Sequence, residues 1–168
     1  MKQTFQVLLQ LRLEGALAQF AVGGAIAASF YIEAVSTEDL DIFAFLQQSS
    51  SGVVVLTPLY DRLKELGATV QGEHVLIQNW PVQILPAYTP LVEEAVHNAV
   101  EQSYDGLAVP VVTAEYLCAI ALQTGRPKDY LRVYSLIQAG CVEPAKLRQL
   151  IHSHHLQERW TIYGRRYA

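Results

Sequence analysis

The chain has 168 residues, 51% of them hydrophobic, and a formal net charge of −4. This length suits one well-filled core and excludes a second full domain. The apolar runs are too short for a membrane span and no cleavable signal pattern opens the chain, so we expect a cytoplasmic protein with no membrane partner. The acidic balance argues against a general nucleic-acid binder, because affinity for a polyanion comes mostly from Lys and Arg, and it leaves room only for a local basic patch.

Apolar spacing and the placement of glycine and proline predict alternating helices and strands in the first two thirds of the chain. Thr57 and Pro58 predict a helix start, with Thr57 as N-cap, and Thr89 and Pro90 predict another. The predicted elements, in chain order, are a helix over 3–14, a strand over 18–22, a helix over 25–33, a strand over 39–46, a polar loop over 47–52, a helix from 57 to Gly67, a hairpin of strands 68–71 and 74–78, a strand over 82–86, a helix from 89, and an extended segment over 107–112.

The last third of the chain predicts helices only. Thr113 is expected to cap the first, residues 128–139 form the second, and residues 144 to the end supply one or two more. The fold class is therefore α/β (α+β): a mixed β-sheet flanked by helices over 1–112 and a helical part over 113–168, together one domain over 1–168. Cys118 and Cys141 fall in helical segments far apart in sequence, which favours free thiols over a disulfide.

A pair of glycines stands where a predicted strand gives way to a predicted helix. Gly23 and Gly24 follow the apolar run Phe20-Ala-Val. Glycine lets the backbone come close to a ligand, and free N–H groups at a helix start attract an anion. This turn is therefore a candidate phosphate-binding site.

Two aspartates follow on the next predicted strand. Asp39 and Asp41 flank Leu40. Side chains two residues apart leave the same face of a strand about 7 Å apart, while the residue between them points the other way. Such a pair can share a divalent metal, and a phosphate-binding turn facing it is what a protein handling a nucleoside triphosphate and Mg²⁺ needs.

The two motifs together resemble the signature of the nucleotidyltransferase superfamily, which is a Gly-Gly or Gly-Ser turn followed by Asp-x-Asp on the next strand. A second stretch, Gly125-Arg126-Pro127-Lys128-Asp129, resembles the Gly-Arg-Pro-Lys-Asp segment of the AbiEii-like branch of that superfamily, where it joins two helices behind the active site. Either motif alone is weak evidence. Both in the right order make the resemblance moderately specific.

The resemblance implies a nucleotidyltransferase-like sheet and Mg²⁺-dependent transfer of a nucleoside monophosphate from a nucleoside triphosphate to an acceptor hydroxyl. Asp39 and Asp41 would be the catalytic and metal-binding residues. The nucleotide-binding residues would be Gly23, Gly24, Thr37 and Lys128. The acceptor is RNA, protein or a small molecule in different members, and an antitoxin is a candidate partner because AbiEii-like members act as toxins paired with antitoxins.

The chain departs from the family pattern at several positions. Active members carry a third carboxylate where strand 82–86 here has Gln83, and a glutamine offers a metal a neutral carbonyl but cannot act as a base. General acid–base catalysis typically contributes about 10²–10⁴-fold in rate. Many relatives also carry Lys where this chain has Ala121, Arg where it has Val35, and an acid where it has Arg132. Weak transfer is expected, and the alternative is a catalytically degenerate nucleotide-binding or regulatory protein of toxin–antitoxin type.

Other charged clusters have a structural interpretation beside a functional one. Arg126, Lys128 and Asp129 are either phosphate contacts or a helix-start salt-bridge cluster, and we favour the structural interpretation.

The C-terminal helices carry the other clusters. His152, His154 and His155 do not share one helical face, so a solvated helix end is expected rather than a metal site. Arg165 and Arg166 beside two tyrosines either touch a nucleic acid or form an ordinary surface terminus, and the second is expected. An unrelated α/β domain with coincidental motifs is the third interpretation of the whole chain.

Overall fold

The computed structural model of the chain describes residues 1–33, 37–46 and 56–167. The helices are α1 (Lys2–Leu13), α2 (Gly24–Ala28), α3 (Thr57–Glu65), α4 (Pro90–His97), α5 (Ala114–Thr124), α6 (Pro127–Gln138), α7 (Pro144–Ser153) and α8 (Gln157–Tyr167). The strands are β1 (Gln19–Val22), β2 (Leu40–Phe45), β3 (Thr69–Gln71), β4 (His74–Ile77), β5 (Trp80–Pro86), β6 (Val100–Tyr104) and β7 (Leu107–Val111).

All seven strands form one mixed sheet in the order β3-β4-β5-β2-β1-β7-β6. The pairs β2–β5 and β1–β7 are parallel, and the other neighbours are antiparallel. Strands β1 and β2 lie in the interior of the sheet, and β2 is mostly buried along its length. The strand that contains Asp41 is therefore paired with other strands on both sides, which fixes its register.

Helix α5 joins the sheet to the helical part. It contacts α2 and α4 on one side and α6, α7 and α8 on the other. Its Cys118 and Ala119 are fully buried, because helices cover it on nearly every face. The α/β (α+β) prediction is confirmed. Within the described residues no helix is long and apolar enough to cross a membrane.

Three threonines were predicted to cap helices, and one of them does so through its side chain. The Thr89 hydroxyl accepts a hydrogen bond from the backbone N–H of Val92 at 3.3 Å, as an N-cap does. The predicted Thr57 cap is wrong: Leu56 is the N-cap and its carbonyl accepts from the N–H of Tyr60 at 3.0 Å. Thr113 is at the N-cap of α5, but its hydroxyl donates to Glu115 instead of capping the helix.

Two elements differ more substantially from the sequence predictions. The predicted helix over 25–33 ends at Ala28, where the Ser29 hydroxyl donates to the carbonyl of Ile26 at 2.7 Å and competes with the backbone. Strand β6 was not predicted. It pairs with β7 across an Asp105-Gly106 turn, a recognised hairpin signal, but its exposed residues give no apolar face to reveal it. The predicted loop over 47–52 lies outside the described residues.

Candidate active site

The carboxylate pair lies in a cavity of about 600 Å³ between the sheet and the start of α6. Strands β2 and β5 supply Asp41 and Gln83, the turn after β1 supplies Gly24, and α5 closes the cavity with apolar side chains. The cavity size is that of a small-molecule site. The residues that line it and that the sequence predicted for the site are Gly24, Thr37, Asp39, Asp41, Gln83 and Lys128.

The two aspartates occupy different positions at the edge of the sheet. Asp41 is the second residue of β2, whereas Asp39 lies just before the strand, where the Thr37 hydroxyl donates to its carboxylate at 2.9 Å. Burial raises the pKa of the Asp41 carboxyl above its ordinary value, the Asp39 carboxylate raises that pKa further, and cations across the cavity lower it. The raised pKa means that the ionised Asp41 carboxylate is only partly compensated by charges within the protein.

The glycine turn is shaped around Asp41. Gly24 has φ +58°, and a Cβ there would overlap the Asp41 Oδ2 atom, while a Cβ on Gly23 would overlap the ring of Phe43. The Gly23 N–H donates to the carbonyl of Asp41 at 2.9 Å. Any larger residue at position 24 would displace the carboxylate as well as strain the backbone, so the glycine turn and the acid belong to one structural unit.

Gln83 lies directly beside Asp41. The two residues are register partners on the parallel strands β2 and β5, and both side chains line the cavity. Val82, its neighbour, is fully buried on the opposite face. Among the described residues no three His, Cys, Asp or Glu side chains form a metal-binding cluster. The site therefore presents two carboxylates and one neutral amide.

A basic wall faces these carboxylates across the cavity. Arg126, Lys128 and Arg132 all line it from the start of α6. Asp129 is 1% exposed and accepts from Arg126 Nε at 2.6 Å, with Arg132 Nη1 at 3.4 Å. The sequence interpretation of this stretch as a salt-bridge cluster describes these contacts, but the same arginines also border the cavity. A buried acid that orients one exposed and one mostly buried arginine is the feature that the sequence analysis did not predict.

The other residues that the sequence singled out lie partly at the cavity and partly away from it. Ala121 lines the cavity from α5, and Val35 lies outside the described residues. The expected solvated helix end is wrong for His154, whose side chain is 9% exposed and whose Nε2 lies 3.0 Å from Glu94 Oε2, away from the cavity. His74, which the sequence did not single out, lies with its Nε2 3.6 Å from Asp39 Oδ2. Its position on an edge hairpin gave no signal.

His74 borders a second cavity, of about 570 Å³, that adjoins the first. Thr37, Asp39 and Lys128 line both cavities. Asp39 therefore borders both cavities, whereas Asp41 borders only the first.

In sequence, the chain matches no protein-family model and no curated protein. Its fold is similar to that of solved nucleotidyltransferases. The solution structure of the antibiotic-resistance factor ANT(2'')-Ia is 15% identical, with 98% of this chain and 96% of that chain covered and a TM-score of 0.59. The crystal structure of ANT(2'')-Ia with adenylyl-2''-tobramycin is 15% identical, with both chains covered at 100% and a TM-score of 0.54. An antigenic nucleotidyltransferase-like protein from Paracoccidioides brasiliensis is 13% identical, with 97% and 90% covered and a TM-score of 0.56. The chain has the nucleotidyltransferase-like fold.

Proposed function

We propose that the protein transfers a nucleoside monophosphate from a nucleoside triphosphate to an acceptor hydroxyl. The observation that carries the proposal is the charge arrangement of one cavity: Asp39 and Asp41 on the sheet side face Arg126, Lys128 and Arg132 on the helix side. A site for a nucleoside triphosphate and a divalent cation needs both negative and positive side chains, because the cation binds carboxylates and the phosphate oxygens bind Arg and Lys.

The residues present fit Mg²⁺. Asp39, Asp41 and the side-chain carbonyl of Gln83 are all oxygen donors, which is the chemistry that Mg²⁺ prefers. The raised pKa of Asp41 indicates that its charge lacks full compensation within the protein. When bound, Mg²⁺ would supply the positive charge that offsets the phosphate charge in the transition state. Asp39 and Asp41 would hold it.

The other residues bind and orient the nucleotide. Lys128 and Arg126 are exposed at the cavity and would contact phosphate oxygens, while buried Asp129 holds Arg126 and Arg132 in place. A side chain at position 24 would displace the Asp41 carboxylate, so Gly24 lets this acid lie directly against the turn after β1. Apolar side chains of α5 and α6, among them Ile120 and Leu131, offer a surface for the base.

The reaction forms one bond and breaks one. The acceptor oxygen bonds to the α-phosphorus, the bond from that phosphorus to the bridging oxygen breaks, and pyrophosphate leaves with the electron pair. The acceptor proton passes to water, because Gln83 beside Asp41 cannot accept it and the Asp39 and Asp41 carboxylates would be occupied in holding the cation. We therefore expect slow transfer, since a positioned base typically contributes about 10²–10⁴-fold.

Gln83 also favours a second candidate function, a nucleotide-binding or regulatory protein without transfer activity. The same cavity would then bind a magnesium–nucleotide without transferring its nucleoside monophosphate. Kinship with the AbiEii-like branch and an antitoxin partner stay predictions of the sequence resemblance. The ANT(2'')-Ia structure contains an adenylyl group joined to tobramycin, which supports the reaction class of the proposal.

A thermal-shift panel with the four nucleoside triphosphates, each with and without magnesium, tests the proposal. We expect a rise in melting temperature only when nucleotide and magnesium are both present, because a ligand that binds the native state alone stabilises it. Asp39→Asn should abolish the rise. Asp61→Asn, which removes the same charge from an exposed position on α3, should retain it.

A second measurement separates the two candidate functions. With an α-labelled nucleotide, slow label transfer to an acceptor supports the proposed reaction. Stabilisation without any transfer, across RNA, protein and small-molecule acceptors, supports the binding or regulatory function. If magnesium and nucleotide never stabilise the parent, both functions fail.

A further inference from the structure

Charge is segregated along the chain. Residues 124–168 carry eight Lys or Arg against three Asp or Glu, whereas residues 1–123 carry four against thirteen. One of the three acids in the basic segment, Asp129, is buried against Arg126 and Arg132. Although the whole chain has a net charge of −4, residues 124–168 are strongly basic, and such charge asymmetry is typical of proteins that bind a polyanion.

Exposed basic side chains lie on the helices α6 and α8. Lys128 lies at the start of α6, and Arg159, Arg165 and Arg166 lie on α8. All four residues are exposed, and among the described residues no acidic side chain pairs with any of them. Their positive charges can attract an anionic ligand more strongly than those of cations that are already paired with an acid.

Aromatic rings lie among these cations. Tyr134 of α6 is 38% exposed, and its ring centroid lies 5.9 Å from that of Tyr167 on α8. Tyr167 stacks on buried Tyr163 at 5.5 Å, with an interplanar angle of 19°. The guanidinium of Arg166 lies 5.7 Å from the ring centroid of Tyr130. An exposed ring on a rigid aromatic stack, flanked by arginines, is a surface on which an unpaired base can stack.

This surface is continuous with the candidate active site. Leu131, about one helical turn before Tyr134, and Ser135, next to it, both line the large cavity. The guanidinium of Arg159 packs against Gly125, in the connection between α5 and α6, where a Cβ would lie 2.9 Å from Nη1. Lys128 borders the cavity as well. A chain lying along α6 and α8 would thus reach the carboxylate pair.

We infer that a basic aromatic face binds single-stranded nucleic acid and leads a terminal hydroxyl of the strand into the cavity as the acceptor. The face comprises Lys128, Tyr134, Arg159, Arg165, Arg166 and Tyr167. The acceptor role rests on the proposed function, whereas the binding does not. A single strand is the occupant because a duplex keeps its bases stacked on each other, out of reach of a tyrosine. An acidic peptide would satisfy the arginines but not the exposed ring.

Fluorescence anisotropy tests the binding, with labelled oligouridine and oligodeoxythymidine of about twelve nucleotides, without nucleoside triphosphate or magnesium. Arg159→Gln/Arg166→Gln should weaken binding by at least about tenfold at low salt and reduce the slope of log K against log salt by about 1.4. Lys2→Gln/Lys64→Gln removes two charges from exposed positions elsewhere and should change neither. Binding of both oligonucleotides supports recognition of either polymer, and binding of oligouridine alone assigns RNA.

Two further variants test the stacking. Tyr134→Ala should weaken binding roughly 5- to 150-fold, because a base stacked on an aromatic ring contributes about 1–3 kcal/mol. Tyr134→Phe keeps the ring and should bind like the parent. Equal loss in the two double variants, no effect of Tyr134→Ala, or equal binding of polyglutamate would overturn the inference, and the last result would point to an acidic protein partner.

The binding and the proposed function fail separately. The binding assay contains neither nucleoside triphosphate nor magnesium, so its outcome does not depend on the proposed reaction. Binding without any magnesium–nucleotide response would leave the face in place and remove the proposed reaction. Label transfer to a small molecule but never to an oligonucleotide would overturn the acceptor role.

Discussion

Replacing Asp41 with asparagine should stabilise the metal-free protein. Folding raises the pKa of this carboxyl, first through burial and then through Asp39. The stability that its proton confers is fully present below the unfolded-state pKa and is lost as the pH rises through the folded-state pKa. At neutral pH the ionised carboxylate therefore destabilises the fold, and a neutral side chain of the same shape removes that effect.

Repulsion by Asp39 is the second of these causes, and the spacing of residues two apart in an extended chain gives the size of this part of the effect. Two unit charges about 7 Å apart repel by about 2 kcal/mol at an effective dielectric constant of about 20. The Asp39 side chain is 38% exposed, so solvent screening reduces this to about 1 kcal/mol. For a domain of this size, that free energy corresponds to a rise of about 2–4 °C in melting temperature.

Differential scanning fluorimetry in a chelating buffer measures the change. The stability gain of Asp41→Asn should be largest at neutral pH and shrink in acidic buffer, where the parent carboxyl takes up its proton. With magnesium and a nucleoside triphosphate the parent should gain stability and the variant should not. Asp61→Asn is the control for loss of one negative charge. An Asp41→Asn protein that melts below the parent in metal-free neutral buffer would refute the reasoning and make the carboxylate a structural residue.

Three further outcomes follow from the same structure. Gln83→Asp should lower the stability of the metal-free protein, because it adds a carboxylate beside Asp41. It should also increase both the stabilisation by magnesium and the rate of label transfer. An unchanged response to magnesium would show that residue 83 takes no part in the site. Asp129→Asn should destabilise the protein by about 1.5–3 kcal/mol in chemical denaturation, the range for hydrogen bonds to charged groups, and should weaken magnesium–nucleotide binding, since two arginines lose their common partner. Unchanged binding in a folded variant would reduce the cluster to a structural role. Burial raises the pKa of the Cys118 thiol to about 12, so iodoacetamide should modify only Cys141 in the native protein, and rapid labelling of both would contradict the described burial.

The sequence alone predicted the elements whose signals are local. Gly23 and Gly24 mark the turn after β1, the alternation around Leu40 identifies β2, and Thr89 caps α4, because each signal lies within a few residues of its effect. Strand β6 was not predicted because it has no local signal: an exposed edge strand has no apolar face. Its hydrogen-bonded pairing with β7 makes it a strand.

Only the tertiary structure decided which chemical groups meet. The parallel pairing of β2 with β5 places Gln83 beside Asp41, and the packing of α6 against α5 brings Arg126 and Lys128 to the same cavity. Such contacts join residues far apart in sequence, and they depend on sheet register and helix packing, which no local pattern encodes. The sequence by itself determined the acids, the glycine turn and the cations. Their arrangement as opposite walls of one cavity comes from the fold.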